Sequence, residues 1–161
     1  MIFETLKLWA KAVILGGTNI SYYTLPVLWV LYLIPHLFAH FSCTTSTGKN
    51  VDSSDPKAVH RDHLVTSRIR SQISRAETVA ADTTRCAPFF AAAVLAGNQV
   101  GLSNSLLNAL SLAYVLTRAA YIDVYILGES MTAAVFQELL SFAGHCIICT
   151  IFVFTGASCL S

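Results

Sequence analysis

Long runs without charged side chains dominate the hydrophobic pattern of this chain. A helix needs about 20 mostly apolar residues to cross the hydrocarbon of a bilayer. Residues 22–41 carry no charge unless His36 or His40 protonates, and their Pro26 and Pro35 are tolerated in membrane helices. Residues 106–127 form another run, interrupted by Arg118 and Asp123, and 133–154 a further one with Glu138 near its start. Between these lies a weaker candidate. Only 86–96 is strictly apolar, so it spans if its helix starts near Arg75, with Asp82 and Arg85 facing inward. Gly97-Asn98-Gln99 reads as the turn that ends it, in preference to a Gly97-x-x-x-Gly101 packing motif. Gly128-Glu129-Ser130 reads as the break before the last run. The pattern predicts an all-α, integral membrane four-helix bundle, one domain over 1–161, with spans at about 20–41, 76–97, 106–127 and 133–154.

The remaining segments are polar. Residues 1–18 suit an interfacial helix or a lead-in turn, with Trp9, Lys7 and Lys11 at the headgroups. They do not read as a cleaved signal peptide, because Glu4, Lys7 and Lys11 interrupt the first turns and the apolar stretch then runs on to Phe41. Residues 42–74 are expected to form a polar loop with a helical extension, Ser- and Thr-rich at first and charged without Gly or Pro from about 64. Six of the ten Lys and Arg residues lie there or at its edge: Lys49, Lys57, Arg61, Arg68, Arg70 and Arg75. The positive-inside rule therefore puts this loop in the cytosol and both termini on the lumenal face.

Composition agrees with the spans. The chain is 55% hydrophobic and 12% charged, with mean hydropathy +0.61, against about 25% charged in soluble domains. A net charge of +1 gives no electrostatic case for nucleic acid. The five cysteines are odd in number and mostly sit in apolar runs, so they read as small buried hydrophobes, including the Cys146-x-x-Cys149 pair. His36 and His40 are four apart but lack a third ligand, and no metal site is expected. His60 and His63 read as solvated. The sequon Asn19-Ile20-Ser21 abuts the first span, too close to the membrane for use.

Ionisable groups inside a membrane span are expensive and usually face a bundle interior or a water-filled cavity. Arg75, Thr78, Asp82 and Arg85 are spaced 3, 4 and 3 apart, along one side of a helix. Arg118, Tyr121 and Tyr125 follow at 3 and 4. Facing each other, the two stripes would make a polar cleft open to the cytosolic end. Guanidinium groups bind carboxylates bidentately, and tyrosine hydroxyls can donate to a thiolate or enolate. The plainer alternative pairs Asp82 with Arg85, while Arg118 neutralises Asp123 or snorkels.

Residues 75–88 read Arg-Ala-Glu-Thr-Val-Ala-Ala-Asp-Thr-Thr-Arg-Cys-Ala-Pro, followed by Phe89, Phe90 and small residues. This resembles the second-helix signature of the MAPEG family, the membrane-associated proteins in eicosanoid and glutathione metabolism. Arg118-x-x-Tyr121-x-x-x-Tyr125 resembles its third helix. The resemblance implies a four-helix protomer in a homotrimer, with intersubunit sites for glutathione at the cytosolic side and a lipophilic substrate in the bilayer, and an expected location in the endoplasmic reticulum membrane. Arg75, Arg118, Tyr121 and Tyr125 match polar positions of the family's glutathione cleft, and Pro88 its helix-shaping proline. Several positions depart from the pattern. Asp82 stands for Asn, Arg85 for Glu, Thr78 for a frequent Arg and Ala80 for the bacterial His, while Thr132 occupies the place of a thiol-activating Arg. Arg85 would repel the glutathione ammonium that the family's Glu receives, and Asp82 could take over that role.

The resemblance implies an enzyme that isomerises, cyclises or conjugates a lipophilic molecule, as a tailoring step of specialised metabolism. Tyr121, Tyr125 and Asp82 are the acid–base candidates, and Arg75, Arg118 and Arg85 the cofactor-binding ones. Glutathione dependence is an open expectation. The alternatives are a glutathione S-transferase or peroxidase of the family's type, and a non-catalytic scaffold that recruits partners through 42–74.

Overall fold

A computed structural model describes residues 18–47, 67–128 and 130–160. A short 3-10 turn, Ser21–Tyr23, leads into α1 (Thr24–Thr47); α2 (Ser67–Val100), α3 (Asn104–Leu127) and α4 (Met131–Leu160) follow. All four helices contain a stretch long and apolar enough to cross a bilayer, and no strand occurs among the described residues. The chain is an all-α four-helix membrane bundle. The segments 1–17 and 48–66, which include Lys49, Lys57 and Arg61 of the basic cluster, lie outside the described residues.

The helices overrun the apolar segments. α1 continues past Phe41 to Thr47, and α2 begins at Ser67, well before Arg75. Hydropathy marks where side chains suit lipid, whereas the backbone hydrogen-bond ladder continues into polar sequence until something stops it. The turn after α2 corrects the reading of Gly97-Asn98-Gln99. These residues stay helical, and the chain turns at Gly101, whose φ is 77°. The Leu102 amide donates to the Gly97 carbonyl at 3.0 Å and the Gly101 amide to that of Asn98 at 3.1 Å. This is a Schellman closure, which needs a left-handed residue just beyond the helix. Asn98 is kept in the helix by its side chain, which donates to the Val94 carbonyl at 2.7 Å.

α2 and α3 form the centre, and α1 and α4 each pack on that pair. The stripe that α2 turns inward is mostly small: Ala76, Val79, Ala80, Thr83, Cys86, Ala93, Val94 and Gly97, with Ile73 and Phe90 as its large members. Small side chains let neighbouring helix backbones approach, which is how membrane helices gain packing without a hydrophobic driving force between them. Two apolar clusters result. One joins Leu28, Phe90, Val94, Leu107, Tyr114 and Ile151. The other joins Ala76, Val79, Tyr121, Ile122 and Ile126. Phe90 and Tyr114 stack with centroids 4.1 Å apart. The outer faces carry exposed Trp29, Val30, Leu37, Phe136, Phe142 and Val153, a surface that suits lipid tails rather than water.

Each end is tied by polar bonds. At one, Asn19 donates to Asn98, Asn98 to the Ser21 hydroxyl at 2.9 Å, and Asn108 to the Thr18 carbonyl at 2.8 Å, while the Ile20 amide donates to Asn108 at 2.9 Å. At the other, Gly128 closes α3 with its amide on the Val124 carbonyl at 2.9 Å. A Cβ at Gly128 would strike the Val124 carbonyl oxygen and the Ala133 Cβ.

The cysteine expectation needs correction. Cys86 is buried, but Cys146, Cys149 and Cys159 are exposed on α4, and all four are free thiols. Lipid solvates an exposed thiol on a membrane helix, so an apolar run does not imply burial.

Gly101→Ala is expected to destabilise the fold by about 1–2 kcal/mol, the cost of a left-handed L-residue, because nothing lies within 4 Å to clash. Gly128→Ala is expected to cost more, since its clash is with backbone. Thermal unfolding of the purified variants in one detergent checks the order; equal losses would contradict it.

Candidate functional site

Between the two apolar clusters lies a polar layer centred on Arg118 of α3. Its side chain is 1% exposed, and Nη1 donates to the Asp82 carboxylate of α2 at 3.0 Å. Nε donates to the Tyr114 hydroxyl at 3.3 Å. The guanidinium carbon lies 5.7 Å from the Tyr114 ring centroid and 5.2 Å from that of Tyr121, within the range of cation–π attraction. Nη2 is buried without a partner. α4 accommodates this group at Gly144, where even a Cβ would sit 3.7 Å from Arg118 Nε. Tyr114, Arg118, Tyr121 and Tyr125 share one side of α3 because 4, 3 and 4 residues are each about one turn.

The two predicted stripes therefore meet, at a single point. Asp82 and Arg118 come together across the helices, replacing both the Asp82–Arg85 and the Arg118–Asp123 pairings. Arg85 is exposed rather than facing inward, and so is Asp123. Arg75 is half-buried and distant from this layer; it donates to the Gly128 carbonyl at 2.5 Å and so caps the C-terminus of α3. Thr78 is exposed and donates to its own helix at Ser74. Tyr121 is buried and Tyr125 half-buried, with ring centroids 5.6 Å apart. His36 of the predicted histidine pair lies against Tyr32, with centroids 4.8 Å apart. Among the described residues, no group of three His, Cys, Asp or Glu side chains is arranged to hold a metal.

Three groups were missed from the sequence. Tyr114 lies one turn before Arg118 on the same stripe, so the periodicity already contained it. Cys86 of α2 and His145 of α4 meet, with Sγ 3.6 Å from Nε2; spacing cannot reveal a contact between helices that are distant in the chain. Both line a groove of about 440 Å³ between α2 and α4, together with Asp82, Arg85, Phe89 and Phe152. Its Asp82 end is polar and the rest mostly apolar, a shape that suits a lipophile with one polar head.

Breaking a buried ion pair by removing one partner leaves an uncompensated charge, at about 3–5 kcal/mol. Asp82→Asn is expected to destabilise the bundle by about 3 kcal/mol, the low end because Asp82 retains 32% exposure. Asp123→Asn, at an exposed site, is expected to change little. Equal melting shifts of the two variants in detergent would contradict the ion pair's role.

No curated protein and no solved structure matches the chain. A model described as the MAPEG family matches residues 21–157, a range that reaches all four helices and takes in the Asp82–Arg118 layer and the three tyrosines of the third helix. The four-helix membrane architecture and this match lead to one conclusion: the chain belongs to the MAPEG family.

Proposed function

We propose that this chain is a membrane-embedded enzyme that isomerises, cyclises or conjugates a lipophilic small molecule, acting as the homotrimer that its family resemblance implies. One observation carries the reading. Arg118 is buried inside a membrane bundle with one amino group on Asp82 and the other unmet. Insertion scales put an arginine at mid-membrane about 2.5–3.5 kcal/mol uphill, and an unmet buried donor adds about 1–3 kcal/mol. A bundle that needed only packing would be as stable with an apolar side chain there. A substrate oxygen that reaches Nη2 gains the missing hydrogen bond, and the arginine then stabilises negative charge developing on it. Tyr121, whose ring lies against the guanidinium, is the residue to give or take the accompanying proton, with Tyr125 beside it.

The test is genetic and chemical. Loss of the gene is expected to accumulate a hydrophobic intermediate detectable by mass spectrometry. Asp123→Asn is expected to restore turnover, while Tyr121→Phe lowers it about 100-fold or more with the protein still inserted. Full complementation by Tyr121→Phe combined with Tyr125→Phe would point to the scaffold reading instead.

Glutathione belongs to this proposal only as a weakly held partner, and no step is assigned to it. Its two carboxylates call for free cations, but Arg118 is engaged by Asp82 and Arg75 by the Gly128 carbonyl. Arg85 stands where the ammonium would be received. These residues are a poor fit to a glutathione grip. Calorimetry is expected to find weak binding to the wild type and binding roughly 10-fold or more tighter in Arg85→Glu, because a like charge at low dielectric becomes an opposite one. Tight wild-type binding that Arg85→Glu abolishes would make Arg85 a ligand contact and overturn this picture.

A further inference from the structure

The α2–α4 groove holds a thiol and an imidazole that the reading above does not use. Cys86 Sγ lies 3.6 Å from His145 Nε2. His145 Nδ1 lies 2.8 Å from the Ser141 carbonyl oxygen, one turn back on α4. A carbonyl can only accept, so Nδ1 carries the proton and donates it there. Nε2 is then a lone pair, and the Cys86 S–H donates to it. A backbone acceptor that fixes the tautomer, leaving the other ring nitrogen free as a base against a thiol, is the arrangement that activates cysteine nucleophiles.

The surroundings separate Cys86 from the other thiols. It alone of the described cysteines is buried, and it opens onto the groove beside Phe89 and Phe152. Cys146 and Cys159 are exposed on α4, and among the described residues neither meets an imidazole. Cys149 lines the same groove one turn beyond His145, but the His145 nitrogens point to Cys86 and to Ser141. At the polar end Arg85 is exposed and lines the groove, in place to donate to an oxygen on a bound lipophile.

We propose that Cys86 and His145 form a nucleophilic site that covalently takes up apolar-tailed α,β-unsaturated carbonyl compounds from the bilayer. His145 Nε2 accepts the thiol proton as Sγ attacks the β-carbon. The C–S bond forms, the C=C π bond breaks, and its electrons move to the carbonyl oxygen as an enolate, with Arg85 donating to that oxygen. The proton on Nε2 then passes to the α-carbon. The net change is addition of S–H across C=C, with no oxidant, leaving group or second reactant. A conjugate addition suits a groove in the membrane, where a soft thiol meets a soft carbon and water is scarce. The site does not depend on the chain's being an enzyme at Arg118, because a scaffold subunit with the same dyad would be labelled equally.

The probe is trans-2-nonenal, added to the full-length protein in lipid nanodiscs, with adducts located by peptide mass spectrometry. Cys86 is expected to be modified first, ahead of Cys146, Cys149 and Cys159, and nonanal, which lacks the double bond, is expected to leave no stable thiol adduct. His145→Gln is expected to slow the Cys86 adduct at least 10-fold and to make its rate climb with pH, as it does for a thiol without a base. If that variant loses the wild-type elution volume, the same comparison is made on wild-type protein whose histidines have been acylated with diethyl pyrocarbonate. Modification confined to the exposed cysteines, or a Cys86 rate and pH profile unchanged when His145 is replaced or acylated, would overturn the proposal.

Discussion

Within a bilayer the attraction between Asp82 and Arg118 has almost no water to compete with it, and the arrangement of the bundle follows from that pair. A guanidinium at this depth is tolerable only if its charge is met. Asp82 meets the charge, the Tyr114 hydroxyl takes one proton, and the Tyr114 and Tyr121 rings flank the planar group. These contacts fix the register between α2 and α3. Sliding either helix by one turn, about 5.4 Å, would separate the charges inside hydrocarbon.

The neighbouring sequence makes room for the pair. α2 presents Thr83 and Cys86 at this level, and α4 presents Gly144, so a large side chain from α3 enters without spreading the helices. Thr83 satisfies its own hydroxyl by donating to the Val79 carbonyl at 2.8 Å and so makes no demand on the layer. The apolar clusters above and below seal the layer. Phe90 and Tyr114 stack on one side, and Val79 and Ile122 close the other.

The number of helices and their order were legible in the sequence, because length and charge depletion answer to a single constraint, the thickness of hydrocarbon. Helix ends were less legible. Nothing in the hydropathy of Asn98 and Gln99 indicates that Asn98 holds its own helix together or that Gly101 supplies the left-handed step. At the site, helical spacing correctly placed Arg118, Tyr121 and Tyr125 on one side of α3 and pointed Asp82 toward it. Spacing also grouped Arg75 and Thr78 with Asp82, and there it failed, while Arg85 shares a groove with Asp82 but not the buried layer. A 3- or 4-residue step drifts around the helix, so residues ten apart share a side only loosely. Arg75 caps a neighbouring helix and Arg85 faces out. The Cys86–His145 contact joins helices separated by a whole span and leaves no local signature.

The knot that ties residues 18–21 to α2 and α3 bears on how the protein is made. Ile20 waits for Asn108, 88 residues further along the chain, so the first span emerges long before the groups that anchor it exist. During that interval the Asn19 side chain lacks the Asn98 partner to which it finally donates. The first span can therefore settle into its final place only after α3 has been made, so its insertion into the bilayer and its docking on the bundle are separate events in time.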